Sequence, residues 1–121
     1  MPNLKLMQPQ EVEVLYIMPA LRREFTKELK RNGCEQKRIA ELLCVTESAV
    51  SQYLNSKRAS KIAFDTATMK LIKESVARMD SPNSMIKETQ LLLKKLRDNG
   101  LTCKVHKNLA KLPDDCEFCD C

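Results

Sequence analysis

Four of the six cysteines and the single histidine fall within the last nineteen residues, in the order Cys103-x2-His106-x9-Cys116-x2-Cys119-x-Cys121. Thiolates and an imidazole at this spacing can grip one metal centre from a short segment, as structural zinc and iron–sulfur sites both do. Either centre needs four ligands, and five candidates are present. Zinc would take Cys103, His106, Cys116 and Cys119 and leave Cys121 idle. An iron–sulfur cluster of the 4Fe–4S type would take Cys103, Cys116, Cys119 and Cys121, with His106 as a neighbour. The second set uses every thiol of the segment and is favoured on that ground, with zinc as the alternative. Asp114, Asp115, Glu117 and Asp120 interleave the ligands and select neither metal. Cys34 and Cys44 belong to the region of residues 34–54 and read as small buried thiols.

A second constellation runs Gln36-Lys37-Arg38-Ile39-Ala40-Glu41-Leu42-Leu43-Cys44-Val45-Thr46-Glu47-Ser48-Ala49-Val50-Ser51-Gln52-Tyr53-Leu54. It reads as two short helices with a tight turn. Ile39, Leu42 and Leu43 form the inner stripe of the first, and Val50, Tyr53 and Leu54 that of the second. Ala40 is small where the helices must approach, Val45 plugs the corner, and Thr46 is a good N-cap. The outward residues of the second helix are Glu47, Ser48, Ser51 and Gln52. All are polar and three are uncharged, where a merely solvated helix displays Lys and Glu.

The elements that must position these groups are helical throughout. Pro9 suits a first helical turn, and Val12, Leu15, Tyr16 and Ile17 form an apolar stretch up to Met18. Pro19 is expected to end or kink that stretch and to restart a helix running to about Asn32, with Leu21, Phe25 and Leu29 inward and Gly33 as its cap. After the paired helices a basic segment, Ser56-Lys57-Arg58-Ala59-Ser60-Lys61, leads away. Asp65 or Thr66 caps a helix to about Met79, with Met69, Ile72 and Val76 on its inner face. Ser81-Pro82 opens another that ends at Gly100. Its stripe of Met85, Thr89, Leu92, Leu93 and Leu96 could contact a second copy or pack on its own domain. Residues from Leu101 to Cys121 show no helical period and read as a loop.

Composition agrees. The chain of 121 residues is 43% hydrophobic but only 4% aromatic, with no Trp, so its core must come from Leu, Ile, Val, Met and Ala. Such a core suits packed helices. The length fits one compact domain with a modest appendage. The net charge is +5, and residues 1–64 hold 11 Lys and Arg against 7 Asp and Glu, a balance of +4 that suits a polyanion. Residues 113–121 hold four acids and no base. No membrane-length apolar run or signal-peptide core is present, which implies the cytoplasm, where thiols stay reduced. One histidine, no Gly-rich phosphate loop and no paired acids beside a nucleophile argue against an enzyme.

The paired helices resemble the helix-turn-helix of the lambda-repressor/Cro type, in the broad group related to xenobiotic-response-element regulators. The leading Gln, the Ile-Ala pair, the Val-Thr corner and the Val-Ser pair fall where that pattern has them. Cys44 departs from it, standing at the turn position usually held by Gly, where a left-handed backbone costs a side chain about 1 kcal/mol. In that family the second helix enters the major groove. The resemblance therefore implies that Glu47, Ser48, Ser51 and Gln52 face base edges, while Gln36, Thr46 and Asn55 contact phosphates. Gln can pair bidentately with adenine and Glu can accept from cytosine. Lys57, Arg58 and Lys61 would add attraction to the backbone. The C-x2-C-x-C run is similar to ligand loops of some cluster-carrying, redox-sensing regulators.

The chain also resembles a group of archaeal predicted transcriptional regulators that join this helix-turn-helix to a tail of the form C-x2-H…Pro-Asp-Asp-Cys-x2-Cys. The matching parts are Leu15 to Leu29 with its Met18-Pro19 step, the helix-turn-helix, and Cys103-Lys104-Val105-His106 through Pro113-Asp114-Asp115-Cys116-Glu117-Phe118-Cys119. The expectation is an all-α fold of five or six helices with a Cys-rich metal-binding C-terminal loop. Residues 1–64 would form the DNA-binding part, 65–100 a helical dimerisation or linker region, and 101–121 the metal-binding tail. The implied function is a homodimeric, sequence-specific regulator of transcription that binds double-stranded DNA and senses redox or cluster status. Alternatives are a regulator with purely structural zinc, or a zinc-stabilised protein-interaction module.

Overall fold

The structure, a computed structural model, describes residues 8–55 and 62–110, with side chains through residue 107. Every regular element among these residues is a helix. Helix α1 (Pro9–Val12) begins with proline at its first position, where the missing N–H breaks no bond. The Glu11 carboxylate closes that end by accepting from the Gln8 backbone N–H at 2.9 Å. A π-helical turn, Glu13–Ile17, then leads into α2 (Met18–Arg31).

That turn corrects the expectation at Met18-Pro19. In an unbroken α-helix the Pro19 ring would collide with the carbonyl four residues back. Here Met18 N–H reaches back five residues, to the carbonyl of Glu13, and the extra residue absorbs the mismatch. The backbone stays helical from 9 to 31. It neither ends nor restarts.

Helices α3 (Gln36–Leu43), α4 (Glu47–Leu54), α5 (Thr66–Ala77) and α6 (Pro82–Asp98) follow within a residue or two of the expected limits. The starts of α4, α5 and α6 are capped by side chains: Thr46, Asp65 and Ser81 each accept from the backbone N–H three residues on, at 3.0, 2.8 and 3.1 Å. With 9–31 counted as one run, and with α7 (Leu101–Ala110), six helices are present among the described residues.

Helix α7 corrects the expectation of a loop after Gly100. Its buried face carries Thr102, Cys103 and His106, so no apolar period marks it. Gly100, at φ +79°, stops α6 and lets the chain restart at once. Cys103 and His106 therefore stand on a helix and not in a loop. Residues 111–121, with Cys116, Cys119 and Cys121, lie outside the described residues.

One core runs through the bundle. Val12, Ile17, Leu21 and Phe25 of the first helical run meet Ile39 and Leu43 of α3, Val50 of α4, Ile72 and Val76 of α5, and Leu92 and Leu96 of α6. Each such side chain contributes roughly 1.5–3 kcal/mol when fully withdrawn from water. Helix α2 is central, packing on α3, α4 and α5, while α6 bridges α3, α5 and α7. The stripe Met85, Thr89, Leu92, Leu93 and Leu96 is buried in this core, so it serves its own domain. No described helix is long and apolar enough to cross a membrane.

Candidate functional site

Helices α3 and α4 pack on each other and both rest on α2. Their inner residues are those expected: Ile39, Leu42, Leu43, Val50 and Tyr53 are buried, with Leu54 half-buried. Ala40 is 7% exposed, which leaves no room for a longer side chain without displacing a neighbour.

The corner between them is a Schellman motif. Val45 N–H donates to the carbonyl of Ala40 at 3.1 Å, and Cys44 N–H to that of Glu41 at 3.3 Å. Cys44 takes the left-handed conformation this motif needs, φ 56° and ψ 42°. Standing at the corner, it is exposed, and not the buried thiol expected. The same pair of bonds closes α2, where Cys34 N–H reaches Leu29 and Gly33 N–H reaches Lys30. There the left-handed residue is glycine, at φ +91°; Cys44 is the one non-glycine residue with positive φ among those described. Val45 packs back onto the core, as the residue after the left-handed position commonly does.

On the outer side, Thr46, Glu47 and Ser48 are exposed, and Ser51 and Gln52 are half-buried one turn further along. Spacings of three and four residues place Ser48, Ser51 and Gln52 on one strip of α4. Glu47 sits in the first turn, where the helix dipole favours its charge. Asn55 is exposed at the end of α4, and its N–H still bonds to the carbonyl of Ser51 at 3.0 Å. Gln36, half-buried in the first turn of α3, donates through Nε2 to Ser51 Oγ at 3.2 Å. Seven of the nine expected DNA-contacting residues thus fall on or beside this two-helix surface. The other two, Lys57 and Arg58, lie outside the described residues, as does Lys61.

Two arginines brace this surface without any signal in the sequence. Buried Arg23 donates from Nη2 to the carbonyl of Ile62 at 2.6 Å, pinning the chain where it returns from the basic segment. Arg38 on α3 donates to the carbonyl of Asp80 at 2.8 Å and pairs with Glu41 at 3.3 Å, which holds α3 against the α5–α6 connection. Both contacts span about forty residues of sequence, and no local pattern announces them.

Cys103 and His106 occupy successive turns of α7 and are 7% and 5% exposed. Helix α7 packs on α1 and α6. No group of three or more metal-ligating side chains comes together among the described residues, which do not include Cys116, Cys119 and Cys121. No protein-family description, curated protein or solved structure matches the chain.

Proposed function

We propose that the chain is a non-enzymatic, sequence-specific DNA-binding regulator of transcription that acts in the cytoplasm. The observation that carries the reading is the α3–corner–α4 unit. Its left-handed Cys44 and Thr46 cap aim a strip of short polar side chains away from a single core. In this arrangement α4 enters the major groove, Glu47, Ser48, Ser51 and Gln52 meet base edges, and Gln36, Thr46 and Asn55 contact phosphates. Lys57 and Arg58 follow at the exit of α4 and attract the backbone.

A second copy belongs to the proposal, because one such unit reads only a half-site and binds weakly. The cysteine tail adds a metal centre whose state is sensed. Selection from random duplexes, followed by titration at several salt concentrations, tests the DNA half. An enriched motif should emerge, and affinity should fall steeply with salt. Changing Lys57 and Arg58 together to Ala should weaken binding to every duplex and flatten the salt slope by about 0.9 for each phosphate no longer neutralised. No enriched motif and a flat salt response would leave a protein-interaction module as the better reading.

A further inference from the structure

We infer that the groove between α2 and α6 is a binding site for a small aromatic carboxylate, with Arg22 as the residue that pairs with its charge. The inference stands apart from the reading of α3 and α4 as a DNA-binding surface, and its test needs no DNA.

The groove follows from the packing. Helices α2 and α6 both rest on α3 and on α5, which set the distance between them. Along α2 its wall is Met18, Arg22 and Phe25, at spacings of four and three residues and therefore on one face. Along α6 it is Met85 and Thr89, with Ile86 and Gln90 beside them, two pairs each separated by one turn. Phe25 is fully buried and closes the floor, Met85 and Thr89 are buried, and Ile86 is 52% exposed at the rim. The space between these walls is about 190 Å³. An apolar cavity of about 150 Å³ admits benzene, so one ring with a short polar substituent fits here.

The lining selects the chemistry. Met18 and Met85 face the space from opposite helices, and methionine sulfur makes favourable contacts with aromatic rings. Arg22 is the one charged residue of the lining, and no carboxylate among the described residues pairs with it. Glu24, Glu13 and Glu88 are taken by Arg23, Arg97 and Arg78. Thr89 Oγ1 already donates to the carbonyl of Met85 at 2.8 Å, so the donors left for a ligand are the half-buried guanidinium of Arg22 and the exposed amide of Gln90. A wholly apolar ligand would cover Arg22 without answering its charge. A carboxylate answers it with two parallel hydrogen bonds, the geometry a guanidinium fork is shaped for. A ring bearing one carboxylate therefore satisfies both the apolar walls and the single cation.

The test is a titration of the full chain with benzoate, followed through the methyl NMR signals of its methionines, with Met18 and Met85 identified by substitution to leucine. Benzoate should shift both signals saturably, with a Kd of about 1 mM or lower. Benzamide has the ring without the charge and should bind roughly 10–100-fold more weakly, the factor expected for hydrogen bonds to a charged group. Arg22→Gln should lower benzoate affinity by a similar factor, and Arg22→Lys, which keeps the charge but not the fork, should fall between it and the parent. Ile86→Trp, at an exposed rim position, should fill the groove and abolish the shifts. If Arg22→Gln fails to fold, the comparison of benzoate with benzamide on the parent decides alone. Benzoate shifts that are absent or confined to other methionines, benzamide binding as tightly as benzoate, or full benzoate affinity in Arg22→Gln would each overturn the assignment.

Discussion

Gln36 Nε2 donates to Ser51 Oγ at 3.2 Å and ties the first turn of α3 to the outer strip of α4. One residue expected at the DNA backbone thus sets the rotamer of another expected at a base. Gln36→Ala and Ser51→Ala should be non-additive in urea unfolding of the free protein, with a coupling of about 0.5–1.5 kcal/mol. On the proposed function, either change also weakens cognate binding. Strict additivity in the double variant would show that the bond contributes nothing in solution.

Gln52 lies on the same strip, half-buried and beyond Ser48 by one turn. Gln52→Ala should weaken binding to the selected site by about 1–3 kcal/mol and leave binding to random duplex nearly unchanged. Fluorescence anisotropy on the two duplexes measures the difference. Equal losses on both would remove Gln52 from base recognition.

The corner offers a stability test that does not depend on function. Cys44 holds φ 56°, a conformation that costs an L side chain about 1–2 kcal/mol. Cys44→Gly relieves that strain but adds freedom to the unfolded chain, so the net gain should be no more than about 1 kcal/mol. Cys44→Val should destabilise, since a β-branched residue tolerates this region worst. Thermal melts of the three proteins should rank glycine above cysteine above valine. A valine variant as stable as the parent would mean the corner relaxes out of the left-handed region.

Acid should act through Asp65. Hydrogen bonding from the Thr68 side chain, then from the Thr68 backbone N–H, holds its carboxyl below the ordinary value, and Lys104 on α7 adds to the effect. A carboxylate depressed in the folded state stabilises fully above its unfolded pKa of about 3.9 and loses that contribution as pH falls through the lower folded value. Asp65→Asn keeps a capping oxygen but cannot titrate. Its stability should stay close to the parent's near neutrality and fall less as pH drops below the unfolded pKa of about 3.9. Parallel acid unfolding curves for the two proteins would show that Asp65 is not the group responsible.

Much of this architecture is legible in the order of residues because it rests on local rules. Thr46, Asp65 and Ser81 announce helix starts through short side-chain oxygens that reach the backbone three residues on. The inner stripes of α3 and α4 follow from the helical period, and the left-handed corner at Cys44 is what the helix-turn-helix resemblance implies for a position usually held by Gly. The limit of local rules shows at Met18-Pro19. Proline signals a break there, and a π-helical turn heals it, because residues on either side are held in one core.

Tertiary structure alone decided the rest, and in each case the reason is partnership across distance. Helix α7 is invisible to an apolar period because Thr102, Cys103 and His106 face inward, and only the packing of α1 and α6 makes that polar face an inner one. The leucine stripe of α6 suits a partner or its own domain equally by pattern, and the fold buries it at home. Arg23 on Ile62, Arg38 on Asp80 and Gln36 on Ser51 join positions fifteen to forty-two residues apart. Periodicity and capping are properties of neighbours in sequence, so they specify helices and their ends. Which face of a helix meets which other helix depends on the whole set of helices being packed at once, and that is fixed only in three dimensions.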